Sequence, residues 1–402
     1  NVESRDMRVV QAGNERVVRP RLSDAAFFWE QDRKQSLAAR LSLLDAVTFQ
    51  NQLGSIGDKV RRFAQLARDI ATRIDGDAAT AIRAAELAKC DLVTNLVGEF
   101  PELQGVMGRY YAAADGEPVE VAAAIAEHYQ PRGAGDALPT TKAGLAVALA
   151  DRLDTLTGIF AIGLKPSGTK DPFALRRAAI GLLRMMIEKR LLLNLAALID
   201  SSLRAHTVFE SPAPQGKSWP TRAAVAGEVY DYIMERLRSS YLESADSLPG
   251  VTTEAFDAVL ATRPRSPLDF DARLRALIGF LSLPEAASLT AANKRIANLL
   301  KKSAGSDALS TSIDATKLKF DAERMLYTAL QGVTQSVPAQ VSAGRYAAAF
   351  TALAQLRPAV DTFFDEVMVM DPDPALRANR LAMLATLREL FTGIADLSRL
   401  PG

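Results

Sequence analysis

Apolar residues recur every three or four positions along most of this chain, and that period limits the fold more than any other feature of the sequence. Between residues 56 and 74 the apolar side chains share one helix face: Ile56, Val60, Phe63, Leu66, Ile70 and Ile74. From about residue 27 onward, no stretch shows the period of two that marks a strand. Because 402 residues correspond to about two or three domains, the sequence predicts an all-α, multi-domain helical protein.

Helix boundaries are predicted from this period and from two Asp-Pro pairs. In Asp171-Pro172 and Asp373-Pro374, the Asp can cap free N–H groups while the Pro fits the first helical position. The segment His206–Thr221, rich in Ser, Pro and Gly, is predicted to be a linker. The predicted helices span about 79–98, 118–129, 141–163, 172–204, 222–243, 253–262, 268–281, 284–302, 314–334, 338–356, 358–369 and 374–397.

The first 26 residues have a different pattern. Two short valine runs, Val9-Val10 and Val17-Val18, flank Ala12-Gly13-Asn14, which predicts two strands joined by a turn. A strand pair of this size does not fold alone. We therefore interpret it as a short β remnant of a preceding module and expect the chain to be the C-terminal part of a longer protein.

Charge and reactive side chains limit the chemistry of the chain. Its 48 Lys and Arg residues balance 47 Asp and Glu residues, so only a local basic patch could attract nucleic acid. A single cysteine, Cys90, excludes a disulfide framework and suits a cytoplasmic location. The motifs GxxxxGK[ST], GxGxxG and Gly-x-Ser-x-Gly are absent. No membrane helix is predicted, because charged residues interrupt the longest apolar runs.

Two segments, Leu87–Val97 and Ala148–Leu156, resemble the metal-binding helices of HD-superfamily phosphohydrolases. In that fold a His-Asp pair, a distant Asp and another His hold the metal. Asp91 matches the Asp of the pair and Asp151 the distant Asp, but Cys90 replaces the His. One thiol and two carboxylates without imidazole suit few catalytic metals. We interpret these segments as an HD-like scaffold with a degenerate metal site.

The carboxylates of this scaffold have a structural interpretation. Asp151 and Asp154 lie one helical turn apart and are predicted to form hydrogen bonds or ion pairs. Arg176 or Arg177 is the predicted partner, and a contact of these arginines with RNA is the alternative. A further alternative is that His128 enters the cluster from another helix.

Several motifs, in order along the chain, strongly resemble the beta subunit of bacterial glycyl-tRNA synthetase. Among the most specific is Lys170–Ala179 (KDPFALRRAA). The others are Phe49–Arg62 (FQNQLGSIGDKVRR), Gly98–Tyr111 (GEFPELQGVMGRYY), Glu127–Pro131 (EHYQP), Ala148–Ile162 (ALADRLDTLTGIFAI), Asn293–Ile296 (NKRI), Arg357–Met370 (RPAVDTFFDEVMVM) and Arg377–Leu387 (RANRLAMLATL). The resemblance spans essentially all 402 residues.

The resemblance implies a division of labour between two kinds of chain. It implies two alpha and two beta chains, with the active site for glycine, ATP and Mg in the alpha subunit. The beta chain would bind the glycine-specific tRNA, so no catalytic residue, metal ion or cofactor is expected in this chain itself. The implied domains are a remnant of the preceding module or linker (1–34), an HD-like helical domain (35–205), a linker region (206–267) and a DALR-type helical-bundle anticodon-binding domain (268–402).

RNA phosphates are contacted by Lys and Arg side chains that share one face. The first predicted patch comprises Lys294, Arg295, Asn298, Lys301 and Lys302, with Asn293 beside it. The second comprises Arg345, Arg377, Asn379 and Arg380. In the HD-like domain the candidates are Arg61, Arg62 and Lys170. A solvated helix face, or an ion pair with Asp361 or Asp365, is the alternative for these residues.

Two other functions remain open at this point. An active HD-type phosphohydrolase would bind a divalent metal near Asp91 and Asp151. A helical protein-interaction scaffold would bind only protein and would have no affinity for tRNA.

Overall fold

Helices account for nearly all the secondary structure in this computed structural model, which describes residues 7–133, 135–213, 218–242, 248–303 and 312–401. The prediction of an all-α protein is confirmed. The chain divides into two compact units, Asn1–Ile233 and Met234–Gly402. The division falls inside the segment 206–267, for which a linker is predicted.

The N-terminal unit contains one small antiparallel hairpin, formed by β1 (Thr48–Gln50) and β2 (Gly54–Ser55). Its 3-10 turns span Ala38–Ala46, Cys90–Val93, Pro101–Leu103 and Thr207–Glu210. The helices that begin in this unit are α1 (Met7–Asp32), α2 (Ile56–Arg73), α3 (Ala78–Leu87), α4 (Asn95–Glu99), α5 (Val106–Ala114), α6 (Val119–Glu127), α7 (Lys142–Ala161), α8 (Leu175–Glu188), α9 (Leu195–Arg204) and α10 (Arg222–Glu235).

Helix α7 is the centre of this unit because α2, α3, α6, α8 and α9 all pack against it. A predominantly apolar sequence, rich in alanine and leucine, lets this helix be buried nearly all round. The side chain of Thr141 caps its first turn by accepting a hydrogen bond from the Gly144 N–H group. At Gly158 an added Cβ atom would lie 2.7 Å from His206 Cε1, so this position requires glycine for the close approach of His206.

The C-terminal unit has a core of stacked aromatic side chains. The rings of Phe280 and Phe350 have centroids 4.7 Å apart, and Phe391 lies 6.2 Å from Phe280. Two 3-10 turns span Ala315–Lys317 and Leu397–Arg399. The helices are α11 (Leu237–Leu242), α12 (Thr253–Leu260), α13 (Pro267–Leu281), α14 (Ala286–Ser303), α15 (Asp321–Thr334), α16 (Ser336–Ser342), α17 (Tyr346–Ala354), α18 (Arg357–Glu366) and α19 (Pro374–Thr392).

The prediction of a β remnant at the N-terminus is wrong. Residues 7–32 form one helix, α1, and the first six residues lie outside the described part of the chain. Val10 lies seven and eight residues before Val17 and Val18, a spacing that is helical as well. The helix ends at a buried carboxylate, since Asp32 accepts hydrogen bonds from the N–H groups of Asn95 and Leu96.

Other helix predictions change in detail. The predicted helix 172–204 is two helices, α8 and α9, separated at Arg190, which has a positive φ of 54°. The predicted helix 79–98 ends as α3 at Leu87, so Cys90 begins a 3-10 turn instead of lying in mid-helix. Asp373 caps α19 with Pro374 at its first position, as predicted. By contrast, Asp171 accepts the N–H groups of Leu175 and Arg176, so α8 begins after Pro172.

Candidate nucleic-acid interface

An exposed basic face on α14 brings together the first set of predicted RNA-binding residues. The helix contains no acidic residue, and its cations follow one another at helical spacing. All five predicted side chains are exposed: Lys294, Arg295, Asn298, Lys301 and Lys302. Among the described residues, none of the three lysines forms an ion pair. The face therefore presents uncompensated positive charge to solvent.

The α14 basic face is concave at its centre. A groove of about 490 Å³ runs along it, lined by Ala291, Lys294, Arg295, Asn298, Leu299 and Lys302. The guanidinium carbon of Arg295 lies 4.4 Å from the centroid of the Phe364 ring on α18, which fixes the direction of that side chain. Cations around a groove, with an amide beside them, suit a phosphate backbone and the base edges next to it.

Asn293 does not belong to this face. Its side chain is buried and its amide nitrogen donates to the carbonyl oxygen of Leu289, 2.9 Å away. The sequence places Asn293 next to Lys294, but adjacent helical positions point about 100° apart. The Asn293 side chain therefore lies in the packed interior and not on the basic face.

The second predicted patch is only partly a surface. Arg345 is exposed at the start of α17, whereas the Arg377 guanidinium donates to the carbonyl oxygen of Asp371, 2.9 Å away. Asn379 is 4% exposed and binds both the N–H and the C=O groups of Asp314. Arg380 is 1% exposed. The structure does not support an RNA contact for Asn379 or Arg380.

Arg380 lies in a buried ion-pair cluster instead. Its guanidinium donates to the carboxylates of Glu323 and Asp371 and to the carbonyl oxygen of Met368. Hydrogen bonds to the two carboxylates raise the pKa of Arg380, so the charge is permanent. Glu323 also accepts the N–H groups of Lys319 and Phe320 ahead of α15. One arginine thus ties α19 to the start of α15.

The basic residues predicted in the N-terminal unit do not form one patch. Arg61 is exposed, but its guanidinium pairs with Asp45 and Asp58. Arg62 is largely buried and binds Asp154 through Nε and one terminal nitrogen, at 2.7 and 3.2 Å. Lys170 is exposed and forms no ion pair among the described residues.

Asp151 and Asp154 of α7 lie in a buried network of cations, so the prediction that they form ion pairs is confirmed. The Lys59 ammonium nitrogen lies 2.8 Å from Asp151 Oδ1 and 3.2 Å from Asp154 Oδ2. Lys89 approaches Asp151 Oδ2 at 2.9 Å. The predicted partners Arg176 and Arg177 form no ion pair with either carboxylate within the described chain. Nearby Lys59 and Lys89 keep the pKa of Asp151 well below its usual range.

His128 does enter this network, but as a neutral group. Its Nδ1 atom donates to the carbonyl oxygen of Ile125, 2.6 Å away, so that Nε2 is free to accept from the Lys89 ammonium, 2.8 Å away. Burial and the charge of Lys89 lower the pKa of His128 well below its usual value. The second histidine, His206, lies 3.5 Å from Asp154 Oδ1 at the other end of the network.

The donor set at the degenerate HD positions does not fit a divalent metal ion. Each oxygen of Asp151 already faces an ammonium group. Asp91 is buried and accepts the N–H groups of Gly105 and Gly108. Burial raises the pKa of the Cys90 thiol to about 12, so the thiolate that would bind a metal is not formed near neutral pH. In the described ranges, no group of three His, Cys, Asp or Glu residues could hold a metal ion.

Sequence reasoning missed the two lysines that complete this network. Lys59 and Lys89 each contact a carboxylate that lies more than 60 positions away in the sequence. No local sequence pattern predicts such a contact. The available signal is a basic residue on an otherwise apolar helix face: Lys59 directly precedes Val60 on the buried side of α2.

The comparisons with known proteins agree with this arrangement. A family profile described as "DALR anticodon binding domain" matches residues 289–397, the part of the C-terminal unit that includes the whole α14 basic face. A second profile, "Glycyl-tRNA synthetase beta subunit", matches residues 1–261. The C-terminal unit is therefore similar to DALR anticodon-binding domains. The chain belongs to the glycyl-tRNA synthetase beta subunit family.

Curated relatives extend the similarity over the whole chain. A protein named glycine–tRNA ligase beta subunit from Chromohalobacter salexigens is 51% identical over 400 residues, covering 100% of this chain and 56% of the relative. Proteins of the same name from Marinobacter nauticus and Sodalis glossinidius are each 50% identical, covering 100% of this chain and 55% and 56% of their own lengths. The chain thus spans little more than half the length of these relatives. Among the described helices, none is long and apolar enough to cross a membrane.

Proposed function

We propose that this chain is the tRNA-binding part of the beta subunit of a heterotetrameric glycine–tRNA ligase. In this proposal two alpha and two beta chains assemble in the cytoplasm, and the alpha-subunit active site attaches glycine to its tRNA with ATP and Mg. The chain itself contributes RNA contacts and holds no cofactor. The observation that carries the proposal is the α14 basic face, which is exposed, free of acidic partners among the described residues and entirely inside the stretch that matches an anticodon-binding profile.

The physical argument concerns how a nearly neutral protein can hold a polyanion. With a net charge of +1, no long-range field of the whole chain favours RNA. Affinity must therefore come from local groups of cations that release counterions from the phosphates. On α14, four cations lie within nine residues, which is enough to contact several consecutive phosphates of a single-stranded loop.

The test is binding of glycine-specific tRNA to this chain across a salt series. We expect Lys294→Glu and Lys301→Glu each to weaken tRNA binding about tenfold or more. Each should also reduce the slope of log affinity against log salt concentration by the equivalent of about one phosphate contact. Lys319→Glu, an exposed lysine elsewhere in the same unit, is the matched control. If neither α14 variant weakens binding while Arg377→Glu does, the α14 basic face is not the interface.

Two further measurements address the division of labour. Assayed alone, the chain should show no ATP–pyrophosphate exchange. Addition of the alpha subunit should give glycylation of the tRNA. If the chain has no affinity for tRNA even at low salt, a scaffold that binds only protein explains it better. If it forms glycyl-adenylate alone, the proposed location of the active site is wrong.

A further inference from the structure

A cleft in the N-terminal unit has the features of a small-molecule site. It lies beside the buried network of Asp151 and measures about 430 Å³, within the usual range of ligand pockets. Its walls combine aromatic and basic side chains, among them Tyr129, Phe173, Arg132 and Arg177. Its lining contains no residue of the α14 basic face, but it includes Arg177, for which the sequence leaves an RNA contact as the alternative.

The charge of the cleft is positive. Three arginines, Arg132, Arg152 and Arg177, line it together with a single carboxylate, Asp151. That carboxylate is already neutralised, because the ammonium groups of Lys59 and Lys89 lie 2.8 and 2.9 Å from its two oxygens. His128, also in the lining, is held neutral by burial, which lowers its pKa. The arginine charges are therefore not cancelled within the cleft, and an anion would be attracted to it.

The three arginines play different parts. Arg152 is partly buried, and its terminal nitrogens donate to carbonyl oxygens, including those of His128, Gln130 and Pro131. It therefore contributes charge but few free donors. Arg132 donates to the carbonyl oxygens of Glu102 and Gln104, which leaves three of its five N–H groups available. Arg177 is exposed and has no partner among the described residues.

The aromatic part of the cleft is held rigidly. The Tyr129 ring lies beneath two cations, with Lys89 Nζ at 4.2 Å and the Arg132 guanidinium carbon at 5.5 Å from its centroid. Tyr129 is partly buried, and its hydroxyl oxygen, which is itself buried, has no hydrogen-bond partner among the described residues. Phe173 is also partly exposed at the cleft and offers a flat apolar surface.

We propose that this cleft binds a nucleotide through its phosphate group, with Arg177 and Arg132 donating to the phosphate oxygens and Phe173 packing against the base. Arginine recognises phosphate through paired N–H donors, and an aromatic face stacks on any base. The ligand is either a free mononucleotide or a nucleotide of a single-stranded RNA, since both present the same phosphate and base. This inference does not rest on the proposed function, because it uses different residues in the other unit.

The test is titration of the 402-residue chain with AMP, inorganic phosphate and adenosine, with binding measured by calorimetry or ligand-observed NMR. We expect saturable binding of AMP that is tighter than that of phosphate or adenosine. Arg177→Gln should weaken AMP binding about tenfold, the effect of losing one charge-assisted contact. Arg73→Gln, which removes an exposed arginine at the end of α2, is the matched control and should leave AMP binding unchanged.

Three outcomes would overturn the inference: no saturable binding of AMP at millimolar concentration, equal affinities for AMP and adenosine, or equal losses in Arg177→Gln and Arg73→Gln. Competition with a short single-stranded RNA separates the two sources of the ligand. Displacement of AMP by the oligonucleotide supports an RNA nucleotide, and failure to displace it supports a free mononucleotide. Lys294→Glu should leave AMP binding unchanged, so a failure of the tRNA proposal is distinguishable from a failure of this one.

Discussion

In the interior of the N-terminal unit, the ammonium nitrogen of Lys59 lies 2.8 Å from the Oδ1 atom of Asp151. The same nitrogen also donates to the Thr155 hydroxyl, 2.7 Å away, and to Asp154. These contacts join α2 to α7, the two helices with the most extensive mutual packing in the unit. A buried ion pair adds little stability over a well-packed apolar pair, but removing one partner leaves a charge without compensation.

We therefore expect Lys59→Met to destabilise the N-terminal unit by about 3 kcal/mol, because Asp154 loses one cation and Asp151 keeps only Lys89. Native-state hydrogen exchange of peptides from α2 and α7 measures this loss directly. Lys189→Met removes an exposed lysine without a described partner and should change exchange little. Equal effects of the two substitutions would contradict the structural role of Lys59.

The stability of the same unit should depend on pH through His206. Burial lowers the pKa of His206 from 6.5 to about 4, a difference that corresponds to about 3 kcal/mol. The unfolded chain takes up this proton below pH 6.5 while the folded chain does not, so stability is greatest above pH 6.5 and falls towards pH 4. Thermal midpoints between pH 4.5 and 7.5 should fall with acidity.

The variant His206→Gln isolates this contribution. Glutamine does not titrate, so the variant should lose stability less steeply between pH 6.5 and 4.5 than the unmodified chain. The remaining slope comes in part from His128, whose pKa is also lowered by burial. The carboxylate beside His206 does not affect the comparison, since the lowered pKa of Asp154 moves its loss of stability below this pH window. Identical slopes for the two proteins would refute the assignment.

Removal of divalent metal should leave the fold unchanged. Both oxygens of Asp151 are held by ammonium groups, and Asp91 is committed to the N–H groups of Gly105 and Gly108. We expect EDTA to shift the thermal midpoint by less than about 1 °C, and elemental analysis to find no stoichiometric metal in the purified chain. A midpoint that falls with EDTA and recovers with Zn²⁺ or Mn²⁺ would show that the HD positions still bind metal.

Arg380 provides a test that separates a structural residue from an RNA contact. Arg380→Lys cannot reproduce the contacts of a planar guanidinium to Glu323 and Asp371, and we expect it to destabilise the C-terminal unit by about 2 to 4 kcal/mol. Urea unfolding, monitored by circular dichroism, measures this loss in the free energy of unfolding. Arg345→Lys, at an exposed arginine of the same unit, is the control and should cost less than about 0.5 kcal/mol. A stable Arg380→Lys chain would contradict the buried role.

How far the sequence predicts this molecule depends on the reach of each interaction. Helices α2 and α19 are predicted because their apolar stripes are long and regular and because Pro374 marks a start. The break between α8 and α9 contains neither proline nor glycine, and only the cap at Asn194 signals it. Local patterns describe neighbours within a turn or two of helix, so they find such boundaries only when a breaker residue is present.

The candidate sites show the same limit. The α14 basic face is predicted because its cations are close together in sequence and share one helix. Asn379 and Arg380 have the composition of an RNA-binding surface, but their partners Asp314 and Glu323 lie 65 and 57 positions away. Whether a polar side chain points to solvent or to such a distant partner is decided by tertiary packing, which a single sequence does not display.

The pair of ammonium groups around Asp151 also bears on how this interior could be redesigned. A dication placed there would lie within a few ångströms of two positive charges. Their repulsion would exceed the attraction that one carboxylate provides. Replacing Lys59 alone, or Lys89 alone, would leave one of those charges in place. A metalloprotein could be made from this scaffold only by exchanging both lysines together.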